Sequence, residues 1–180
     1  MPKIIENLRD ELLKEARKQV FERGYRNTTI RSVASECGVA VGTVYNYFRT
    51  KDMLIASFVL EDWIECTRYI ESYPKNRSKD FLGFVYMSLR RFADRYTVLF
   101  SDKEAEKSFN AAFSKKHELL RTQLALLILP ICDVDVFLAE YTAEALLTWT
   151  MAGRSFEQIY SLLPEKIKNK YIRSNKNEQL

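Results

Sequence analysis

Ala34, Gly38 and Val44 stand four and six residues apart, and this spacing restricts the local fold more than any other feature of the chain. A helix–turn–helix needs a small residue in its first helix where the second crosses it. It needs a glycine four positions later, for positive φ in the turn. Six further on it needs an apolar residue that pins the second helix to the first. Val33 and Val39 supply the remaining buried contacts of such a motif. The same run, "CGVAVGTVYNYFRTK", carries a second glycine, Gly42, at the predicted start of the second helix. A position without a side chain there allows backbone N–H groups to approach a partner closely, and a helix start favours phosphate. Val44 and Phe48 face inward in this reading. Val41, Thr43, Tyr45, Asn46 and Tyr47 fall around the helix, where hydroxyls and an amide reach base edges and phosphate oxygens.

The rest of the chain follows the helical period. Leu8, Leu12, Ala16 and Val20 recur every four residues and predict a helix from about Ile5 to Arg23, closed by Gly24 as a left-handed cap. Thr28 or Thr29 caps a helix over Ile30–Glu36, and a short helix over about Val41–Phe48 follows. Thr50 caps a long helix to about Ser72, with Asp52 in its first turn. "YPKNRS" makes the clearest loop. A helix from Ser78 or Asp80 to about Tyr96 comes next, then one announced by the capping-box spacing of Ser101 and Glu104 and stopped near Pro130. Asp133 or Asp135 opens the following helix, Ser155 and Gln158 frame another box, and Pro164 predicts a kink or restart. Five glycines and four prolines in 180 residues fall at these boundaries, and no strand-like alternation runs longer than a few residues. An all-α protein is predicted.

Charge is distributed unevenly. Residues 1–51 hold ten Lys/Arg and six Asp/Glu, whereas 52–180 hold eighteen of each, so the net charge of +4 lies entirely in the first third. That asymmetry predicts a polyanion partner for this segment. Three scattered cysteines, no CxxC and a single histidine argue against a zinc site and fit a reducing compartment. The charged N-terminus has no signal-peptide core, and the longest apolar run, "LALLILPIC", is too short to span a bilayer. A cytoplasmic location is expected, with no metal and no cofactor.

The stretch "LLKEARKQVFERGYRNTTIRSVASECGVAVGTVYNYFRTKDML" resembles the N-terminal domain of the tetracycline-repressor (TetR) family of bacterial transcription regulators. The matching positions are Ala16, Phe21, Gly24-Tyr25, Thr28-Thr29, Val33-Ala34, Gly38-Val39, Gly42-Thr43-Val44-Tyr45, Tyr47-Phe48 and Lys51, within about residues 9–55. The resemblance implies a three-helix DNA-binding head over 1–50 and a helical ligand-binding and dimerisation body over 51–180. It implies a homodimer that binds a palindromic operator, as a repressor released by a small effector. It implies phosphate-contacting or groove-lining roles for Thr29, Thr43, Tyr45, Tyr47 and Lys51, and a base-reading role for Arg31. One position departs from the pattern. Ala40 stands where the family often has Ser, so it cannot cap the second helix of the motif.

The body is rich in aromatics. As effector-binding candidates we take Trp63, Cys66, Phe84, Phe92, Phe109, Phe113, His117 and Trp149, with a small apolar or aromatic effector as the implied ligand. The stretch 134–151 is apolar on nearly every face. A helix of that kind is buried on two sides, and in a body this small another subunit is the expected second side. Tyr141, Ala145, Thr148, Phe156, Ile159, Tyr160 and Leu163 are the candidate dimer contacts. Two other readings compete: a DNA-binding regulator insensitive to ligand, and a helical interaction protein without DNA binding. An enzyme is not expected. Cys66 or Cys132 with His117 resembles a nucleophile and base, but nothing in sequence brings them together.

Overall fold

The structure is a computed structural model that describes residues 7–74, 78–100, 102–132 and 134–168, with the side chains of 98, 100, 104, 106–116, 131 and 132 left out. Among the described residues there are nine helices and no strand: α1 Leu8–Asn27, α2 Ile30–Glu36, α3 Val41–Tyr47, α4 Lys51–Glu71, α5 Ser78–Phe100, α6 Lys103–Cys132, α7 Val136–Met151, α8 Phe156–Leu162 and α9 Glu165–Lys168. The all-α expectation is met, and none of these helices is long and apolar enough to cross a membrane.

Most boundaries follow from local chemistry. The Thr29 hydroxyl accepts from the Ser32 N–H, the Ser32 hydroxyl accepts from the Thr29 N–H, and the two close a capping box on α2. The Thr50 hydroxyl accepts from the Met53 N–H at 3.1 Å and opens α4. Asp135 accepts from the Leu138 N–H and selects the start of α7 over Asp133. Ser155 and Gln158 form the expected box on α8, and Pro164 restarts the chain as the short α9. Each such cap contributes about 1 kcal/mol.

Three boundaries differ from expectation. Gly24 does take positive φ (80°), yet helical bonding resumes beyond it and α1 ends at Asn27 with a break inside it. The start of α6 is capped by Asp102, whose carboxylate accepts from the Ala105 N–H at 3.2 Å. Ser101, the expected cap, lies outside the described residues. Pro130 falls in the last turn of α6 and does not end it, since α6 runs to Cys132.

The described chain forms two compact units. The first contains the described residues of 1–63 and 96–115, the second those of 64–95 and 116–180. In the first, Leu12, Leu13, Ala16 and Val20 of α1 are buried with Val33, Ala34, Val44 and Phe48 of the motif and Leu54, Ile55 and Phe58 of α4. Burial of each larger side chain contributes about 1.5–3 kcal/mol. Charge is also buried here. Asp62 of α4 accepts from Arg17 of α1 at 2.5 Å and from the Tyr96 hydroxyl of α5 at 2.6 Å. In the second unit, Phe81, Leu82, Val85 and Leu89 of α5 are buried with Leu120, Leu124 and Ile128 of α6 and Ala143, Leu146 and Leu147 of α7. Helix α8 packs on α7.

Candidate nucleic-acid interface

The motif is built by the residues whose spacing predicted it. Gly38 adopts φ 66°. The Gly38 N–H donates to Ser35 O and the Val39 N–H to Ala34 O, closing the end of α2. This bonding turns the chain so that α3 packs on α2. Ala34 and Val44, small and β-branched, are fully buried at that contact. Helix α1 holds α2 in place by hydrogen bonding, since the Ser32 hydroxyl donates to the buried Gln19 amide oxygen at 2.6 Å.

What this construction leaves outside is polar and aromatic. Tyr45 and Tyr47 are 49% and 46% exposed. Asn46 and Gly42 are exposed, with Thr43 and Val41 partly so. A Cβ placed on Gly42 meets nothing within 4 Å, so no packing inside the chain requires glycine there. Arg31 is exposed on α2 and forms no ion pair among the described residues, and the same is true of Arg49 in the α3–α4 turn. In sequence Arg49 flanks the short helix together with Arg31 and Lys51, but it is not among the assigned DNA contacts. A cation directly after the inward Phe48 is the sequence signal for it.

Lys51 and Thr29 have partners within the fold. Lys51 Nζ donates to Tyr25 O at 3.0 Å and lies 3.7 Å from the centroid of the Tyr25 ring. The Tyr25 hydroxyl in turn donates to Asp52. The ammonium is therefore held at a set position by a contact between α1 and the start of α4. Thr29 spends its side chain on the α2 cap and remains at the surface.

Ala40 is the N-cap of α3 and makes no side-chain cap bond, as its identity predicts, although its backbone is already extended (φ −68°, ψ 145°). A hydroxyl there can accept from an α3 N–H without rearrangement. Ala40→Ser is expected to stabilise the chain by about 1 kcal/mol. A urea unfolding midpoint equal to or below that of the parent chain would contradict this.

The family model for bacterial regulatory proteins of the tetR family matches residues 12–58, which contain this whole arrangement. The matched segment is about a quarter of the chain, and over it the chain is similar to the TetR family. Among relatives, it is 39% identical over 54 residues to the HTH-type transcriptional regulator HbdR of Aromatoleum sp., covering 30% of this chain and 24% of that protein. It is 35% identical over 57 residues to the HTH-type transcriptional repressor KstR2 of Mycolicibacterium smegmatis, covering 32% and 27%. The matches thus span about a quarter of the length of these relatives. A crystal structure of a protein from Rhodococcus sp., assigned to the TetR family of regulators, superposes with a TM-score of 0.58 at 17% identity, covering 86% of this chain and 93% of that one. At that identity the likeness is one of fold.

The candidate residues of the helix–turn–helix thus stand exposed or partly exposed, and most of the described effector candidates lie in the second unit. Trp63 is buried in the first unit. In the second unit Phe92 is buried, and half-buried Phe84 stacks on Tyr73 with ring centroids 4.1 Å apart. Cys66 is half-buried and its thiol donates to Ser88 O at 3.7 Å. Burial pushes that thiol up to about 11, so at neutral pH it is protonated. His117 Nε2 lies 3.6 Å from Glu144 Oε1. The side chains of Phe109, Phe113 and Cys132 lie outside the described residues. Trp149, 44% exposed, lines a groove of about 320 Å³ with Tyr141, Ala145, Ile159, Leu162 and Leu163.

That groove regroups the candidates, placing Trp149 with four of the proposed dimer contacts. Ile159 and Leu163 form its buried floor, Tyr141 is exposed, and Ala145 is partly so. Thr148 is exposed and donates to Glu144 at 2.6 Å. Phe156 packs inside the unit against Tyr86, with centroids 5.6 Å apart, and Tyr160 donates its hydroxyl to Lys168 O.

Proposed function

We propose that this chain is a DNA-binding transcriptional regulator, acting as a repressor on a palindromic operator in the cytoplasm. One observation carries the reading. Helix α3 is pinned by Val44 and Phe48 and offers solvent an outer face of Gly42, Thr43, Tyr45, Asn46 and Tyr47, while Arg31 of α2 is exposed and forms no ion pair among the described residues. Thr29, Val41 and Lys51 complete the candidate set. The basic excess of residues 1–51 supports it. We assign DNA binding to residues 1–50, and effector binding and dimerisation to 51–180.

The regulator acts as a homodimer through the outer faces of α7 and α8. Val136, Phe137, Tyr141 and Trp149 of α7 and Leu162 of α8 are large apolar or aromatic side chains left exposed in the single chain. A two-fold pairing of these helices buries them and sets two α3 helices on successive half-sites of one DNA face. The effector is small and apolar or aromatic, in keeping with the aromatic side chains of the second unit. A compound that raises the melting temperature yet leaves operator affinity unchanged would count against this switch.

The DNA-binding reading is tested by selection from a random double-stranded library, followed by affinity measurement across salt. A palindrome is expected to be enriched, with affinity falling steeply as salt rises, because each neutralised phosphate releases counterions. Arg31→Ala is expected to relax preference at one position per half-site by about 1–3 kcal/mol. If no sequence is enriched over bulk DNA, the reading fails.

A further inference from the structure

We propose that Asn46 is the central base-reading residue of this chain and that it specifies an adenine in each half-site. The proposal rests on the DNA-binding reading above and assigns the roles within it.

The argument is the register of α3. Val44 and Phe48 are both buried and define the inward direction of the helix. Successive residues turn by about 100°. Asn46 therefore stands about 180° from the mean direction of Val44 and Phe48, at the outermost line of the helix. Tyr45 and Tyr47 lie about 100° to either side of it. Gly42 lies one turn earlier, within about 40° of the same line. The exposure pattern agrees: 42, 45, 46 and 47 are exposed, and 41 and 43 partly so.

This geometry divides the labour. A recognition helix in the major groove puts its outermost line against the base edges and its flanks toward the two sugar–phosphate walls. Gly42 places no side chain on that line, and its Cβ direction is open space, so the helix can settle closer to the bases. The tyrosine hydroxyls on the flanks are placed for phosphates, which fix position without reading sequence. Gly42 has no side chain and Thr43, about 60° from the outer line, is only partly exposed, so Asn46 carries the side chain best placed to tell bases apart. Its amide makes no hydrogen bond among the described residues, so it is available. An Asn amide matches adenine in the major groove: its carbonyl oxygen accepts from N6–H, and its N–H donates to N7.

The test uses the full chain and selection from the random library with the parent chain and with Asn46→Ala. Alanine on an exposed helix position leaves the fold intact, which a circular dichroism melt confirms. The parent chain is expected to enrich adenine at one position per half-site, and Asn46→Ala to lose that preference by about five- to 150-fold. Replacing that adenine by 7-deazaadenine, which lacks the N7 acceptor, should weaken the parent chain and leave Asn46→Ala unaffected. Tyr45→Phe and Tyr47→Phe should weaken all sequences alike. If the parent chain enriches a palindrome and Asn46→Ala retains the same preference at every position, the assignment is overturned while the DNA-binding reading stands. If the parent chain enriches nothing, both fall.

Discussion

Asp62→Ala is expected to lower the unfolding free energy by about 3 kcal/mol, the lower end of the range for breaking a buried ion pair. Asp62 is 5% exposed and takes hydrogen bonds from two sides, Arg17 of α1 and Tyr96 of α5. Removing the carboxylate leaves a fully buried Tyr96 hydroxyl without that acceptor, a desolvation cost of about 1–3 kcal/mol. It also leaves the Arg17 guanidinium without its nearest anion. Arg17 is 34% exposed, so water recovers part of that loss and the total stays at the low end. Tyr96→Phe removes only one donor and should cost about 1 kcal/mol. Urea unfolding of the three proteins distinguishes these values. An Asp62→Ala midpoint indistinguishable from the parent would show that the network contributes nothing net. Arg9–Glu61, 2.9 Å apart but exposed on both sides, should by contrast be worth under about 1 kcal/mol.

Leu162→Glu should have little effect on a single chain and a large one on the assembly. Leu162 is 73% exposed at the rim of the α7–α8 groove. A charge on so open a position changes the stability of the isolated fold by no more than about 0.5 kcal/mol. In a two-fold pairing the same side chain is buried and appears twice, so two unpaired carboxylates lose their water, at a cost of several kcal/mol. Sedimentation at micromolar concentration is expected to show a dimer for the parent chain and a monomer for Leu162→Glu, with unchanged circular dichroism. The variant should lose the palindrome. A monomeric parent chain, or a variant that stays dimeric, would remove α7 and α8 from the assembly.

The helix–turn–helix was legible because everything that makes it is close in sequence. Gly38 sits within ten residues of both Thr29 and Phe48, and capping boxes span three residues. Positive φ at Gly38 and a buried Val44 follow from spacing alone. The same holds for Ser155 and Gln158 at α8. The α1 terminus was less legible: Gly24 breaks the helix as predicted, but the Thr28 N–H still reaches Tyr25 O and the turn continues. Side-chain bonds across long separations were not legible. Asp62 follows Phe58 by four and Ile55 by seven, on the apolar stripe of α4, and that placement was the one available sign that its carboxylate is buried.

The amino-acid sequence by itself determined the helical class, the motif and the face α3 turns outward, because periodicity, glycine φ and caps act over one or two turns of chain. Only the tertiary structure decided which charges are spent inside the fold. Lys51 meets Tyr25 across 26 residues, and Asp62 meets Arg17 across 45. It also set Trp149 beside Tyr141 and Leu162 in one groove. The physical reason is that helical period gives the direction of a side chain relative to its own helix axis. What that side chain meets depends on how helices distant in sequence cross, and burial then fixes whether a charge is paired or left to water.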